Sequence, residues 1–351
     1  MLDIKRLIAD VYEHLSEGRK KGESFESYLE KLLDGYQDMI QDLHPLLVTD
    51  TIKMEIAFSI KIIKEVLELY SSACVAQSIS KLQDYIMKSD NNLLEVTISK
   101  EQAKDLNWYR MRLQEPHAKI FPARQMFHIP FNQRGKVNTQ RYSLPGYPCL
   151  YVSRSVWAAW EEMHEPKLAD FCVSRLELQS DIKVLDLRMV SSEKIDQLDI
   201  SRLLCTFPLI IACSIKTLNP DDNFKPEYII PQLVMLSVVE SKKYDGCAYT
   251  STQKNLFFDN WTDIHLLDNL ALPVKEVNAK KDLCEKLCSC FRVTDATNYE
   301  YELLKDSFKT IEIGVKEATM YIETENTEYD KSIFGHLENR LRCKKTYELI
   351  P

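Results

Sequence analysis

Arg110, Arg141, Tyr151, Glu161, Glu162 and Ser251 are the residues of this chain whose types and order bring chemistry to mind. Arginine guanidinium groups are planar forks that grip phosphate oxygens two at a time. A carboxylate placed behind the run VWAAW, at Glu161 or Glu162, has two readings. It can hold ribose hydroxyls and stabilise the oxocarbenium-like cation formed when a glycosidic bond breaks. It can equally be an ordinary helix acid interacting with the helix dipole. Ser251 ends a strand-like run, where a hydroxyl commonly closes a turn. No histidine is placed to activate it, so a triad-type nucleophile is not supported.

The surroundings of these residues are basic. From Arg110 to Arg154 there are eight cations and one acid, Glu115, a local +7 in a chain of net charge −8. Such a segment reads either as a solvated face or as an anion site. Tyr109, Phe121, Phe127, Phe131, Tyr142, Tyr147 and Tyr151 lie among the cations and could stack a planar ring.

The rest of the chain must position these groups. Its 351 residues suggest two domains, or one with an appendage. Hydrophobic content of 45% and charged content of 28% match an ordinary globular protein. A pI near 5.5 argues against nucleic acid as the main partner. The start, MLDIKRLIADVYEHL, lacks a secretory apolar core, and FPLIIAC (Phe207–Cys213) is far too short to span a bilayer. Ten cysteines without an export signal imply reduced thiols and a cytoplasmic protein. The cluster CEKLCSC (Cys284, Cys288, Cys290) lacks the paired spacing of a zinc site and reads as an amphipathic helix, so no metal is expected. Neither a G-x-G-x-x-G nor a Walker lysine motif is present.

Periodicity divides the chain. Leu2, Leu7, Ile8, Val11 and Leu15 keep helical spacing. After Asp50, a candidate N-cap, a second stripe runs through Ile52, Ile56, Ile60, Ile63, Leu67 and Tyr70. The tract KSDNN breaks the pattern, and LLEVTIS alternates like a strand, which sets a boundary near residues 88–105. Beyond Trp108 short strands are expected at CLYVS, KVLDL and CAYTS. Helices are expected from WAAWEEM and over Tyr228–Val239, the latter burying Ile229, Leu233, Leu236 and Val239 on one face. This is α+β texture without regular βαβ alternation.

At these residues the chain resembles the RES domain, a bacterial NAD-consuming toxin family. The pieces are WYRMR, FHIPFNQRGKVNTQRYSLPG, PCLYVSRSVWAAWEEM, KVLDL, YIIPQ and DGCAYTS, in the family's order over about residues 105–260. The resemblance places the family's two arginines on Arg110 and Arg141, its tyrosine on Tyr151, its glutamate on Glu162 (Glu161 is one position away) and its serine on Ser251. A tryptophan often follows the second arginine; here it is Tyr142. With Tyr109 and Tyr249, Tyr142 is expected to bind substrate.

The resemblance implies an ADP-ribosyltransferase-like split β core with surrounding helices over residues 105–320, preceded by an all-α module over 1–100 and followed by a charged segment, 321–351, without an assigned role. The helical module resembles the extension of longer RES proteins of phage-defence type, which sets the chain apart from the compact toxin that pairs with an antitoxin; either an antitoxin or a trigger protein could bind through these helices. The implied activity is cleavage of the nicotinamide–ribose bond of NAD, with phosphate, water or a protein side chain as acceptor and no resident cofactor. Assembly as an oligomer stays open. Two other classes compete. One is a HEPN-type ribonuclease through RLQEPH (Arg112 to His117), which Pro116 disfavours as a helix. The other is a non-catalytic nucleotide sensor.

Overall fold

The computed structural model describes residues 2–88, 94–101, 107–115, 119–190, 195, 199–253, 264–275, 281–305 and 329–351. The first stripes fold as four helices, α1 (Leu2–Glu17), α2 (Phe25–Gln41), α3 (Asp50–Ser71) and α4 (Val75–Lys88). There follow β1 (Glu95–Ile98), β2 (Trp108–Leu113), β3 (Cys149–Ser153), α5 (Val156–Glu162), β4 (Phe171–Leu178), β5 (Ile182–Leu187), α6 (Ile200–Cys213) and α7 (Ile229–Glu240). The chain continues with β6 (Gly246–Thr250), β7 (Asp268–Pro273), α8 (Glu285–Cys290), β8 (Phe291–Thr294), α9 (Tyr299–Lys305), α10 (Ile333–Arg342) and β9 (Thr346–Glu348). The fold is α+β. No helix among the described residues is long and apolar enough to cross a membrane.

Contacts group the chain into two interleaved units. One holds residues 1–96, 139–145 and 184–257; the other holds 97–138, 146–183 and 258–351. This partition differs from a linear one at about residue 100, because the N-terminal helices pack on α6 and α7 from much later in the chain.

In the first unit Ser24 caps α2 by accepting from Ser27 N at 3.1 Å. Thr49 caps α3 through Ile52 N at 3.4 Å, so Asp50 is the first helical residue rather than the cap. Ile56, Ile60, Ile63 and Leu67 are buried, as a stripe on one helix face must be. Helix α6 is different. Every residue from Leu203 to Cys213 is buried, so FPLIIAC is a core helix covered all round. The Tyr36 hydroxyl donates to Leu204 O at 2.8 Å, and Tyr36 and Tyr12 lie with ring centroids 5.5 and 6.0 Å from Phe207. Arg19 pairs with buried Glu227 at 2.8 Å.

Helix α7 also departs from the one-face expectation. Ile229 and Leu233 are buried, but so are Ile230, Val234, Met235 and Val238, whereas Leu236 and Val239 are half-buried. Strand β5 pairs with β6 in parallel, Leu185 opposite Cys247.

The second unit is built on strands in the order β7-β3-β2-β4-β8-β9, each pair antiparallel. β2 runs its full length along β4, from Trp108 opposite Leu176 to Leu113 opposite Phe171. Cys284, Cys288 and Cys290 are buried around α8, and no group of metal ligands occurs among the described residues. All ten cysteines are free thiols. The C-terminal residues from Tyr329 are part of this unit: α10 packs on α5 and β4, and β9 adds to β8. Pro116, His117 and the run TIEIGV lie outside the described residues.

Candidate active site

The acid-bearing helix α5 is only seven residues long, so its position depends on what holds its ends. Ser155 is the N-cap: its Oγ accepts from Ala158 N at 2.9 Å and donates to Leu266 O at 2.6 Å. A second group reaches the same end from α10. Glu338 Oε1 accepts from Val156 N at 2.8 Å and from the Tyr329 hydroxyl at 2.6 Å. A carboxylate is favourable beside the positive end of a helix. Burial nevertheless pushes the Glu338 carboxyl above the usual carboxylate range. Gly335 makes the arrangement possible, since a Cβ there would overlap Tyr329 O.

At the other end of α5 the two candidate acids point apart. Glu161 is buried and its Oε1 accepts the indole N–H of Trp157, one turn back, at 2.8 Å. Glu162 is half-buried, and its Oε1 accepts from Asn269 Nδ2 at 3.0 Å. The Asn269 amide also donates to Leu267 O at 3.4 Å. Glu162 is therefore the acid that keeps access to a ligand.

Asn269 is placed by strand register. On β7 it lies opposite Ser153 of β3, which lies opposite Tyr109 of β2. Tyr151 lies opposite Ala271, so it is the diagonal neighbour of Asn269 on the same sheet face. Arg110, next after Tyr109 on β2, starts from the other sheet face, and its Nη1 donates to the backbone carbonyl Tyr151 O at 2.9 Å. Its Nε has no hydrogen-bond partner among the described residues. Burial, and then the neighbouring Arg112, pull the guanidinium down to about 10, which leaves it charged at neutral pH.

The first unit gathers the other candidates. Arg141 is buried, with Nη1 donating to Cys213 O at 3.2 Å and Nη2 to Thr252 Oγ1 at 2.8 Å. Its guanidinium lies 5.1 Å from the Tyr228 ring. Tyr142 and Tyr249 pack together with centroids 4.6 Å apart. Ser251 is fully buried and its Oγ accepts from Gln253 N at 3.4 Å, a turn-closing contact. Arg110, Tyr151 and Glu162 thus belong to one unit and Arg141 and Ser251 to the other.

The expected stacking tyrosines do not present open rings. Tyr109, Tyr142 and Tyr249 are all buried, and desolvation raises the Tyr109 and Tyr142 phenols well above their ordinary range. Several arginines of the basic segment already sit over rings of the protein itself: Arg112 over Phe121 at 4.3 Å, Arg134 over Tyr147 and Arg154 over Trp108, both at 5.9 Å. Asn269, Thr252 and Glu338 were not legible as site residues. Each matters only through a partner far away in sequence.

The arrangement around Glu162 suits stabilisation of a developing cation. A carboxylate is oriented by an amide, and a phenol stands on the adjacent strand of the same sheet face. No family model matches the chain, and no solved structure does. A protein of Bacillus subtilis (strain 168) named "Putative toxin YopC" is 30% identical over 348 residues, covering 91% of this chain and 76% of that protein.

Proposed function

The chain belongs to the family of Bacillus subtilis YopC, and from that premise we propose that it is a toxin that breaks the nicotinamide–ribose bond of NAD. The observation that carries this reading is the Glu162 carboxylate, half-buried and held at 3.0 Å by Asn269. The toxin role rests on the relative's name, and the NAD chemistry on the RES-like motifs together with this carboxylate.

In the proposed reaction Glu162 hydrogen-bonds the ribose hydroxyls and faces the positive charge that grows at the anomeric carbon. The C–N bond breaks, and its electron pair leaves with nicotinamide, which becomes neutral. Inorganic phosphate supplies the oxygen that forms the new C–O bond, giving ADP-ribose 1-phosphate. Arg110, half-buried and charged, offers its guanidinium to phosphate oxygens. Tyr151 packs against the nicotinamide riboside. Asn269 fixes the carboxylate and keeps its lone pairs aimed.

The test is incubation of the full chain with NAD, with and without phosphate, followed by mass analysis of the products. ADP-ribose 1-phosphate appearing only with phosphate supports the reading. Free ADP-ribose in both cases replaces phosphate by water as acceptor. NAD left intact overturns it.

A further inference from the structure

The second unit contains a cavity of about 850 Å³ whose lining includes none of Arg110, Tyr151, Glu162 or Asn269. Its walls come from the loop after β2, the start of α9 and the chain around β9. Three lysines line it, Lys119, Lys344 and Lys345, against one acid, Asp295. Asp295 is already engaged, accepting from Ala123 N at 2.9 Å. Lys344 pairs with Glu302 at 3.0 Å, whereas Lys119 and Lys345 have no ion pair among the described residues. The cavity is therefore cationic in a chain of net charge −8.

Its aromatic content is equally marked. Phe121, Tyr301 and Tyr347 line it, and the two tyrosines are 43% and 39% exposed. Each tyrosine has an ammonium nearby: Lys344 Nζ is 5.6 Å from the Tyr301 centroid and Lys345 Nζ is 5.3 Å from that of Tyr347. Arg112 lies against Phe121 at 4.3 Å and adds positive potential behind it.

Ammonium groups are point-charge partners for phosphate, and exposed rings are stacking platforms for bases. A volume in the range of about 300–1,000 Å³ is that of a small-ligand site. We infer that this cavity is a nucleotide site, taking a phosphate-bearing ligand with a planar base and distinct from the carboxylate site at Glu162. The phosphates lie against Lys119 and Lys345, and the base lies against Tyr301 or Tyr347. An acidic peptide would satisfy the lysines but would leave the rings unused.

The experiment is calorimetric titration of the full chain with ADP, adenosine and pyrophosphate. ADP should bind saturably, with adenosine and pyrophosphate each at least ten-fold weaker, because each keeps only half of the recognition. The double variant Lys119→Glu/Lys345→Glu should weaken ADP at least ten-fold with its thermal transition unchanged. Tyr347→Ala should weaken it several-fold, and Glu162→Gln should leave it intact. The inference is overturned by the absence of saturable ADP binding, or by ADP affinity that the double lysine variant does not change. A single-stranded RNA decamer that displaces ADP and binds more tightly, with a steep salt dependence, would overturn it in favour of a strand-binding groove. None of these readouts depends on NAD cleavage.

Discussion

Asn269 donates to the Glu162 carboxylate at 3.0 Å, while the adjacent Glu161 turns inward to the Trp157 indole at 2.8 Å. Two neighbouring acids thus have opposite duties. Glu162→Gln should reduce nicotinamide release by about a hundred-fold or more, the usual loss when an electrostatic contact to the transition state is removed, with little change in thermal stability. Glu161→Ala should do the reverse. It leaves a buried indole N–H unpaired, which costs about 1–3 kcal/mol, and should lower the melting temperature. Nicotinamide release and thermal melts on both variants check the pair. Equal activity losses without a stability difference would refute the division.

In the proposed reaction Asn269 acts through Glu162, to which it donates at 3.0 Å, so its removal should show in kcat rather than in KM. Asn269→Ala should lower kcat about ten-fold, and Asn269→Gln should fail to restore it because the amide is displaced by one methylene along the strand face. Asn269→Asp should be worse than Asn269→Ala, since two carboxylates then share the site. Steady-state kinetics on the three variants give the ranking.

Glu338 joins α10 to the N-terminus of α5, at the opposite end from Glu162. Burial raises its folded pKa above the unfolded value. The folded state then holds the proton more tightly, so the Glu338 contribution is fully present below the unfolded pKa and is lost as pH rises through the folded one. Relative to Glu338→Gln, which does not titrate, the wild type should lose stability on going from acid towards neutral pH. Thermal melts of both proteins across that range measure the difference. A constant difference at every pH would contradict the assignment.

His128 gives the opposite slope. It is buried, its Nε2 accepts from Cys284 N at 3.0 Å, and its Nδ1 donates to Ile129 O at 2.9 Å, so the ring is neutral. Burial lowers its pKa to about 4. The folded state resists protonation, so stability should be complete above about pH 6.5 and should fall as pH drops towards 4, by on the order of 3 kcal/mol. Denaturant unfolding at several pH values, compared with His128→Asn, tests this window. A variant that keeps the full acid loss would assign it elsewhere.

Local order was readable in the sequence. The spacing of Ile56, Ile60, Ile63 and Leu67 marks a buried helix face, and CLYVS is β3 residue for residue. The acid-bearing helix was visible in WAAWEEM, and α8 in CEKLCSC. Long-range placement was not. Nothing in LDNL marks Asn269, because its role arises only when β7 pairs with β3 and sets it opposite Ser153. Glu338 looks like any helix acid until α10 docks on α5. The basic segment was visible as charge, but Phe121 and Tyr147, expected to stack a substrate ring, lie against Arg112 and Arg134 instead. Periodicity reports which face of an element is covered, and is silent about what covers it.

The burial of α6 on every side bears on how this protein can be cut down. Leu203–Cys213 is sheltered by helices that include α2 and α3, and Tyr36 and Phe207 meet inside that shelter. A shortened version starting near residue 97 would strip an eleven-residue greasy rod of its cladding and would clump in solution. The leading helices are masonry of this core, and a version trimmed of them must rebuild that wall from other sequence.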